Sequence, residues 1–396
     1  MHRERVERAQ RALLGRDIAC ALLFHPLNVR YVSFPGVGTV ASMQTSFRWA
    51  VVPAEGKVLL WDYTGHFAEN AEHGVKEAER PGGLPDYYTG DVRPVHGFSF
   101  FPQGSMAPES VRAFAAEISD VLEEWGIKRE RLAIDRAETT AFNALQDLGI
   151  EICDAQEALE TARSVKTVDE LELMRQNART VGLGIAALRE RLAPGVTENR
   201  LWATLMGTVM AEGAEWSNTR QLSSGQRTNP WGQEATDKVV EAGDLVGLDT
   251  DLVGRWGYFT DVSRTFLCGD VAPTDQQRRL YADAYEYVHG NIPEMRVGAS
   301  YAELGERLKQ RVPERYYEQR YPFIAHGVGM SDEYPAIKWD MHHDGELEPG
   351  MCLSVEAYFG EVRGTEGVKF EEQLVITDEG PDIISTCISH EERLLD

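Results

Sequence analysis

Between Gly243 and Gly269 the chain reads GDLVGLDTDLVGRWGYFTDVSRTFLCG, and this stretch restricts the fold more than any other. Val246 to Asp251 predicts a strand, Gly254 a turn, and Tyr258 to Phe266 a returning strand. Side chains on a strand alternate faces, so Asp249 and Asp251 point the same way, and the return strand brings Asp261 beside them. Carboxylates converging in a half-buried sheet repel one another, at a cost of several kcal/mol each, unless a cation neutralises them. The bland alternative is an acidic cluster at a loop edge, an ordinary feature of so acidic a chain.

At 396 residues the chain exceeds one ordinary core, so two domains are expected. A hydrophobic content of 42% with 26% charged residues describes a folded globular protein. The formal net charge of −24 argues against nucleic acid or an anionic membrane surface as partner, since both would repel it. No apolar run is long enough to span a bilayer, and MHRERVERAQRALLG reads as an amphipathic helix without a signal-peptide core. Cys20, Cys153, Cys268, Cys352 and Cys387 are widely spaced with no CxxC, which suits reduced thiols and a cytoplasmic location.

Residues 1–162 read as an α/β domain. Ile18 to Phe24 is a buried-strand run ended by a turn at His25-Pro26-Leu27-Asn28. Trp49 to Val52 and Val58 to Trp61 form a hairpin, and Pro81 to Ser105 is an irregular excursion rich in Gly, Pro and aromatics. A helix over Pro108 to Trp125 and strands at Arg131 to Asp135 and Ile150 to Cys153 follow. Near Lys166 the texture changes, and residues 163–396 read as a second domain. Thr167 or Asp169 caps a long helix to about Arg191, and Thr197 caps another ending near Gly213. Two further helices, Asp275 to Met295 and Tyr301 to Val312, repeat the helix–helix–strand order. The whole is α+β, with a pseudo-symmetric C-terminal domain built on a curved antiparallel sheet.

Three further groups can do chemistry. His326 lies in HGVGM, where Gly327 and Gly329 let backbone approach a ligand closely; Glu356 lies in the strand CLSVEAYFG; Glu371 lies in GVKFEEQLVIT. A lone His in a Gly-rich turn is more often structural, and a strand Glu is usually solvated. Together with the aspartates they are hard oxygen donors plus one imidazole, a set for one or two divalent first-row cations and not a Cys-rich zinc site.

The order GDLVGLDTD…GYFTDVSRTF, AHGVGM, LEPGMCLSVE, GVKFEEQLVITDEG resembles the creatinase/aminopeptidase P/prolidase family, the pita-bread fold. The resemblance implies Asp251, Asp261, His326, Glu356 and Glu371 as metal ligands, a smaller creatinase-like N-terminal domain bordering a partner's active site, and a homodimer. The chain departs from the peptidases in three places. Arg227-Thr228-Asn229-Pro230-Trp231 stands where they carry a histidine, and Ser331-Asp332-Glu333-Tyr334-Pro335 stands where they carry a second. Asp249 and Asp251 straddle the position of their single first aspartate. All three departures resemble the dimethylsulfoniopropionate lyases of the DddP type. That likeness implies Asp249 as an extra metal-site aspartate, and Tyr321 and Asp332 as the active-site tyrosine and acid.

The expected reaction is metal-dependent cleavage of dimethylsulfoniopropionate to dimethyl sulfide and acrylate by base-assisted β-elimination, with Asp332 as the base. Trp231, Trp216 and Trp49 are candidates for an apolar, π-rich slot around the sulfonium, though tryptophans are more often core residues. Iron is the preferred ion, with manganese, zinc or nickel also compatible. The alternatives are a dinuclear hydrolase acting on Xaa-Pro substrates, and a metal-binding protein without catalysis.

Overall fold

A computed structural model describes residues 1–33, 48–62, 91–94, 108–339 and 345–395, so the excursion expected over Pro81 to Ser105 lies outside the described residues. The chain divides into two compact units, Met1–Arg163 and Ser164–Asp396.

The first unit carries six strands: β1 (Cys20–Leu23), β2 (Trp49–Pro53), β3 (Leu59–Asp62), β4 (Asp91–Pro94), β5 (Leu132–Ile134) and β6 (Ile152–Asp154). They form one sheet in the order β4-β3-β2-β1-β5-β6. The expected hairpin is present, with Trp49 opposite Trp61. Where the sequence suggests only a turn after Phe24, a helix runs over Pro26–Ser33. Proline fits its first turn, and the Asp135 carboxylate accepts from the Phe24 and His25 amides (2.8 and 3.0 Å) and from Asn28 Nδ2 (2.8 Å), ordering the entry. The helix Pro108–Glu124 covers one sheet face through Val111, Phe114, Ile118 and Leu122.

The second unit opens with the helix Val168–Arg191, started by a reciprocal capping box between Thr167 and Glu170. The helix Glu198–Ala211 begins on Thr197, whose side chain accepts from the Arg200 amide. Val181, Ile185, Leu201 and Leu205 of these helices pack against Val246, Leu248 and Phe266 of the sheet. The following strands are β7 (Trp216–Ser217), β8 (Leu222–Ser224), β9 (Leu245–Asp249), β10 (Leu252–Val253), β11 (Phe259–Thr260) and β12 (Ser263–Leu267). The expected continuous hairpin is therefore broken. β9 pairs with β12 and β8 in one three-stranded sheet, while β10 pairs with β11 and β7 in another. At the break the Thr250 hydroxyl takes the Val262 amide (3.1 Å) and faces the carbonyls of Thr260 and Val262, replacing ladder bonds with a side chain. Asp251 turns the chain at φ +33°, a region that Asp tolerates better than most residues. Asp249, Asp251 and Asp261 all lie at this joint.

The largest sheet of the unit contains β13 (Phe323–Val328), β14 (Asp332–Lys338), β15 (Cys352–Gly360), β16 (Gly367–Thr377) and β17 (Gly380–Ile383), ordered β14-β13-β15-β16-β17. Helices Asp275–Asn291 and Tyr301–Lys309 cover its outer face, with Leu280, Ala284 and Val288 in one core with Leu353, Val355 and Phe370. Thr265 on β12 donates to the Lys369 carbonyl (2.9 Å) and accepts from its amide (3.2 Å), tying β12 to β16. The inner face of β15 and β16 is thereby brought to the carboxylate-bearing joint. The glycines of HGVGM serve this packing. A Cβ on Gly327 would lie 1.8 Å from the Tyr334 carbonyl oxygen, and one on Gly329 would lie 2.7 Å from Lys166 Cε.

Candidate metal centre

Glu356 and Glu371 face each other directly across β15 and β16, and Tyr358 faces Lys369 one step along. Cross-strand partners share a face, so these side chains all enter the same space. β13 brings in His326, paired with Ser354, whose hydroxyl donates to the Asp261 carbonyl (2.8 Å) and fixes the joint against the sheet. Asp249, Asp251, Asp261, His326, Glu356, Lys369 and Glu371 are each less than a tenth exposed.

The cluster has two poles. At one, His326 Nε2 lies 3.4 Å from Glu356 Oε1, 3.4 Å from Glu371 Oε1 and 3.6 Å from Asp261 Oδ2. Glu356 Oε1 and Glu371 Oε1 are buried there without a hydrogen-bond partner among the described residues. Buried carboxylate oxygens left bare are costly, and an imidazole with three carboxylate oxygens is a normal donor set for a divalent ion. The residues therefore fit a metal at this pole. At the other pole Lys369 Nζ lies 2.8 Å from Glu356 Oε2, 3.3 Å from Asp249 Oδ2 and 3.4 Å from Glu371 Oε2, and donates to Ser263 Oγ (2.9 Å).

Protonation follows the same division. Burial alone would strip the Lys369 proton, but Asp249, Glu356, Glu371 and Asp261 outweigh it and hold the ammonium well above its ordinary range. Burial pushes the Glu356 carboxyl up to about 7 despite Lys369. For Glu371 burial is overcome by Lys369 and His326, which hold it down to about 2. Asp249 is raised, by burial above all, with Lys369 opposing. Of the two aspartates straddling the expected first position, Asp249 is the one against Lys369. The Asp251 carboxylate accepts from Thr219 Oγ1, and its amide reaches Asp261 Oδ1 at 3.4 Å.

The sequence reading passed over Lys369, though it stands two residues before Glu371 in GVKFEEQ and alternation obliges it to share that carboxylate's face. Asn229 was likewise missed. Its Nδ2 donates to the carbonyls of Glu361 and Gly364, and its Oδ1 accepts from Tyr358 Oη (2.9 Å) and Gln319 Nε2 (2.8 Å).

A cavity of about 550 Å³ is lined by Trp231, Tyr321 and Tyr358 together with Arg220, Glu318 and Arg320. Trp231 stacks on Tyr358 at 5.9 Å, and Lys369 Nζ lies 5.8 Å from the centre of the Trp231 ring and 5.6 Å from that of Tyr321. Trp231 and Tyr321 therefore sit beside the carboxylate cluster. Trp216 is half-buried in β7 opposite Val253, and does not line this cavity. Trp49 belongs to the core of the first unit, 1% exposed and packed between Trp61 and Phe114, so packing accounts for its ring. The Asp332 backbone lies in β14 opposite Val328, and its side chain is outside the described residues.

Residues 172–378 match the metallopeptidase family M24, and residues 5–165 match the creatinase/prolidase N-terminal domain. A dimethylsulfoniopropionate lyase DddP of Roseovarius nubinhibens is 32% identical over 96% of this chain and 84% of that protein. Its counterpart in Roseobacter denitrificans is 31% identical over the same shares. Among solved structures, an Xaa-Pro dipeptidase from Bacillus anthracis superposes with a TM-score of 0.77 over 99% of both chains at 22% identity. The fold expected from the sequence, a pita-bread domain with a smaller N-terminal domain, is the fold of this chain. Among the described residues, no helix is long and apolar enough to cross a membrane.

Proposed function

The chain belongs to the M24 metallopeptidase family, and from that premise we propose that it turns the family's metal chemistry to elimination: cleavage of dimethylsulfoniopropionate to dimethyl sulfide and acrylate. The observation that carries this reading is Trp231. In the segment where the resemblance to the peptidases calls for an imidazole, an indole stands beside the carboxylate cluster, stacked on Tyr358 and forming a wall of the cavity. An indole cannot shuttle the protons of amide hydrolysis, but its π-face attracts an onium group.

In this reading Asp261, His326, Glu356 and Glu371, with Asp249 and Asp251 at the border, hold one or two divalent ions, iron by preference. When bound, such an ion draws charge from the substrate carboxylate and favours carbanion character at the α-carbon. Trp231, Tyr358 and Tyr321 receive the dimethylsulfonium end. Asp332 takes the α-proton, the C–H electrons become the new C=C bond, and the C–S pair leaves with sulfur as neutral dimethyl sulfide. Tyr321 orients the substrate at the cavity mouth.

The test is a side-by-side incubation of the metal-loaded protein with dimethylsulfoniopropionate and with an Xaa-Pro dipeptide. Headspace dimethyl sulfide and equimolar acrylate are expected, without release of proline. Proline release without dimethyl sulfide would overturn the proposal and make the chain a peptidase like its structural neighbours.

A further inference from the structure

β16 carries a second carboxylate, Glu372, on the face opposite Glu371. Around it stand His289, near the end of the helix Asp275–Asn291, and His390, in the segment that follows Ile388. One donor atom from each of the three lies within 4.8 Å of the others, and His390 Nε2 is 3.6 Å from Glu372 Oε1. The imidazoles are held in place. His289 stacks on Tyr285 with ring centres 3.9 Å apart, and His390 stacks on Phe370 at 5.4 Å. His289 Nδ1 lies 3.0 Å from the Tyr285 carbonyl oxygen, so this nitrogen carries the proton and Nε2 keeps its lone pair, the orientation of a metal-binding histidine. His390 Nδ1 is buried with no hydrogen-bond partner among the described residues. Arg264 Nη2 donates to Glu372 Oε1 at 2.9 Å, and the other carboxylate oxygen accepts from Ser385 Oγ.

We propose that His289, Glu372 and His390 form a separate binding site for a borderline divalent cation, zinc foremost, which clamps the C-terminal segment and the helix onto β16. Two imidazoles and one carboxylate suit Zn²⁺, Co²⁺ or Ni²⁺ far better than Mg²⁺ or Ca²⁺. His390 retains 29% of its side-chain exposure, which leaves the ion a way in from solvent. The Arg264 guanidinium makes this the weaker of the two centres: it already balances Glu372, so an ion entering here meets no surplus of negative charge.

The test is equilibrium dialysis of the chelator-stripped protein against Zn²⁺, with ions per chain counted by elemental analysis. The double variant His289→Ala, His390→Ala should bind one equivalent fewer than the parent. It should keep the ions lost by His326→Ala, which distinguishes this site from the metal centre above. Equal counts in parent and double variant overturn the proposal. A readout on the parent alone covers a variant that fails to fold. Diethyl pyrocarbonate labelling, mapped by peptide mass spectrometry, should fall at both His289 and His390 when Zn²⁺ is added, and undiminished labelling of both would also overturn it.

Discussion

Glu371 and Glu372 are adjacent on β16 and equally buried, yet alternation sends them into opposite electrostatic worlds. On the inner face Asp249, Asp261, Glu356 and Glu371 crowd around one lysine and one imidazole, and two carboxylate oxygens have no hydrogen-bond partner among the described residues. On the outer face a single carboxylate meets a single guanidinium in a 2.9 Å pair, with two histidines beside it. The imbalance on the inner face demands an outside cation, whereas the outer face is already neutral and can only accept one. His390 registers the difference. Burial first, and Arg264 next, lower its pKa to about 4. Burial of a carboxylate thus says little about metal binding; the charge left over after internal pairing decides it.

The largest effect expected is that of His326→Ala. It removes the imidazole from the pole with the bare oxygens, so the inner-face metal and turnover should both be lost while the core in helices and outer sheet stays intact. Elemental analysis and a circular dichroism melt read the two parts. Retention of both metal and activity would break the contrast between the faces at once. Next comes Asp332→Asn, which separates holding the ion from moving the proton. Asparagine keeps the size and shape of the side chain at the start of β14, but it cannot accept the α-proton. Dimethyl sulfide release should drop by roughly two to four orders of magnitude with metal content unchanged. Release at the parental rate would remove Asp332 from the mechanism.

Much of this arrangement is legible in the sequence, because it rests on alternation. Glu356 and Glu371 lie in long strands where period two decides the face, and the same rule would have put Lys369 beside them had the lysine been followed as closely as the glutamates. The joint was less readable. Val246 to Asp251 has the composition of one strand, and only the side-chain bonds of Thr250 and the positive φ of Asp251 split it between two sheets. That split sets Asp249 against Lys369 and Asp251 against Thr219, a distinction invisible to spacing. The close approach that the HGVGM glycines allow is made by the Tyr334 backbone and by Lys166, partners far enough along the chain that no local pattern names them. His289 and His390 stand about a hundred residues apart on elements that meet only in the folded unit, so no local pattern announces them.

Lys369→Met probes the inner face from its other pole. The change keeps an unbranched four-atom stem and removes the one ammonium among Asp249, Glu356 and Glu371. Metal-free, the variant should lose about 3–5 kcal/mol of stability, the usual result of deleting one member of a buried ionic set. A divalent ion replaces part of the missing charge, so the gain in unfolding temperature on metal addition should be larger in the variant than in the parent. Equal gains would mean that the lysine and the ion do not answer the same charge.

The smallest effect is expected from Glu372→Gln, and it tests how independent the two faces are. The amide preserves the shape of the side chain, and its oxygen can still accept from Arg264. Arg264 in turn keeps the carbonyls of Ser263, Glu371 and Ile388 as acceptors. What is lost is the charge opposite a fully buried guanidinium, and a cost of about 1–3 kcal/mol follows from weakening a charged hydrogen bond without deleting it. Denaturant unfolding would read that loss. The metal content of the inner face should stay at the parental level, because Glu371 keeps its carboxylate and its partners Lys369 and His326. There is one physical route by which this could fail. Arg264 Nη1 holds the Glu371 carbonyl at 2.6 Å while Nη2 holds Glu372, so a shifted guanidinium could drag the strand and tilt Glu371 out of the cluster. Loss of inner-face metal in Glu372→Gln would therefore show that Arg264 couples the faces mechanically, and that pairing charge on one side of β16 does not leave the other side alone.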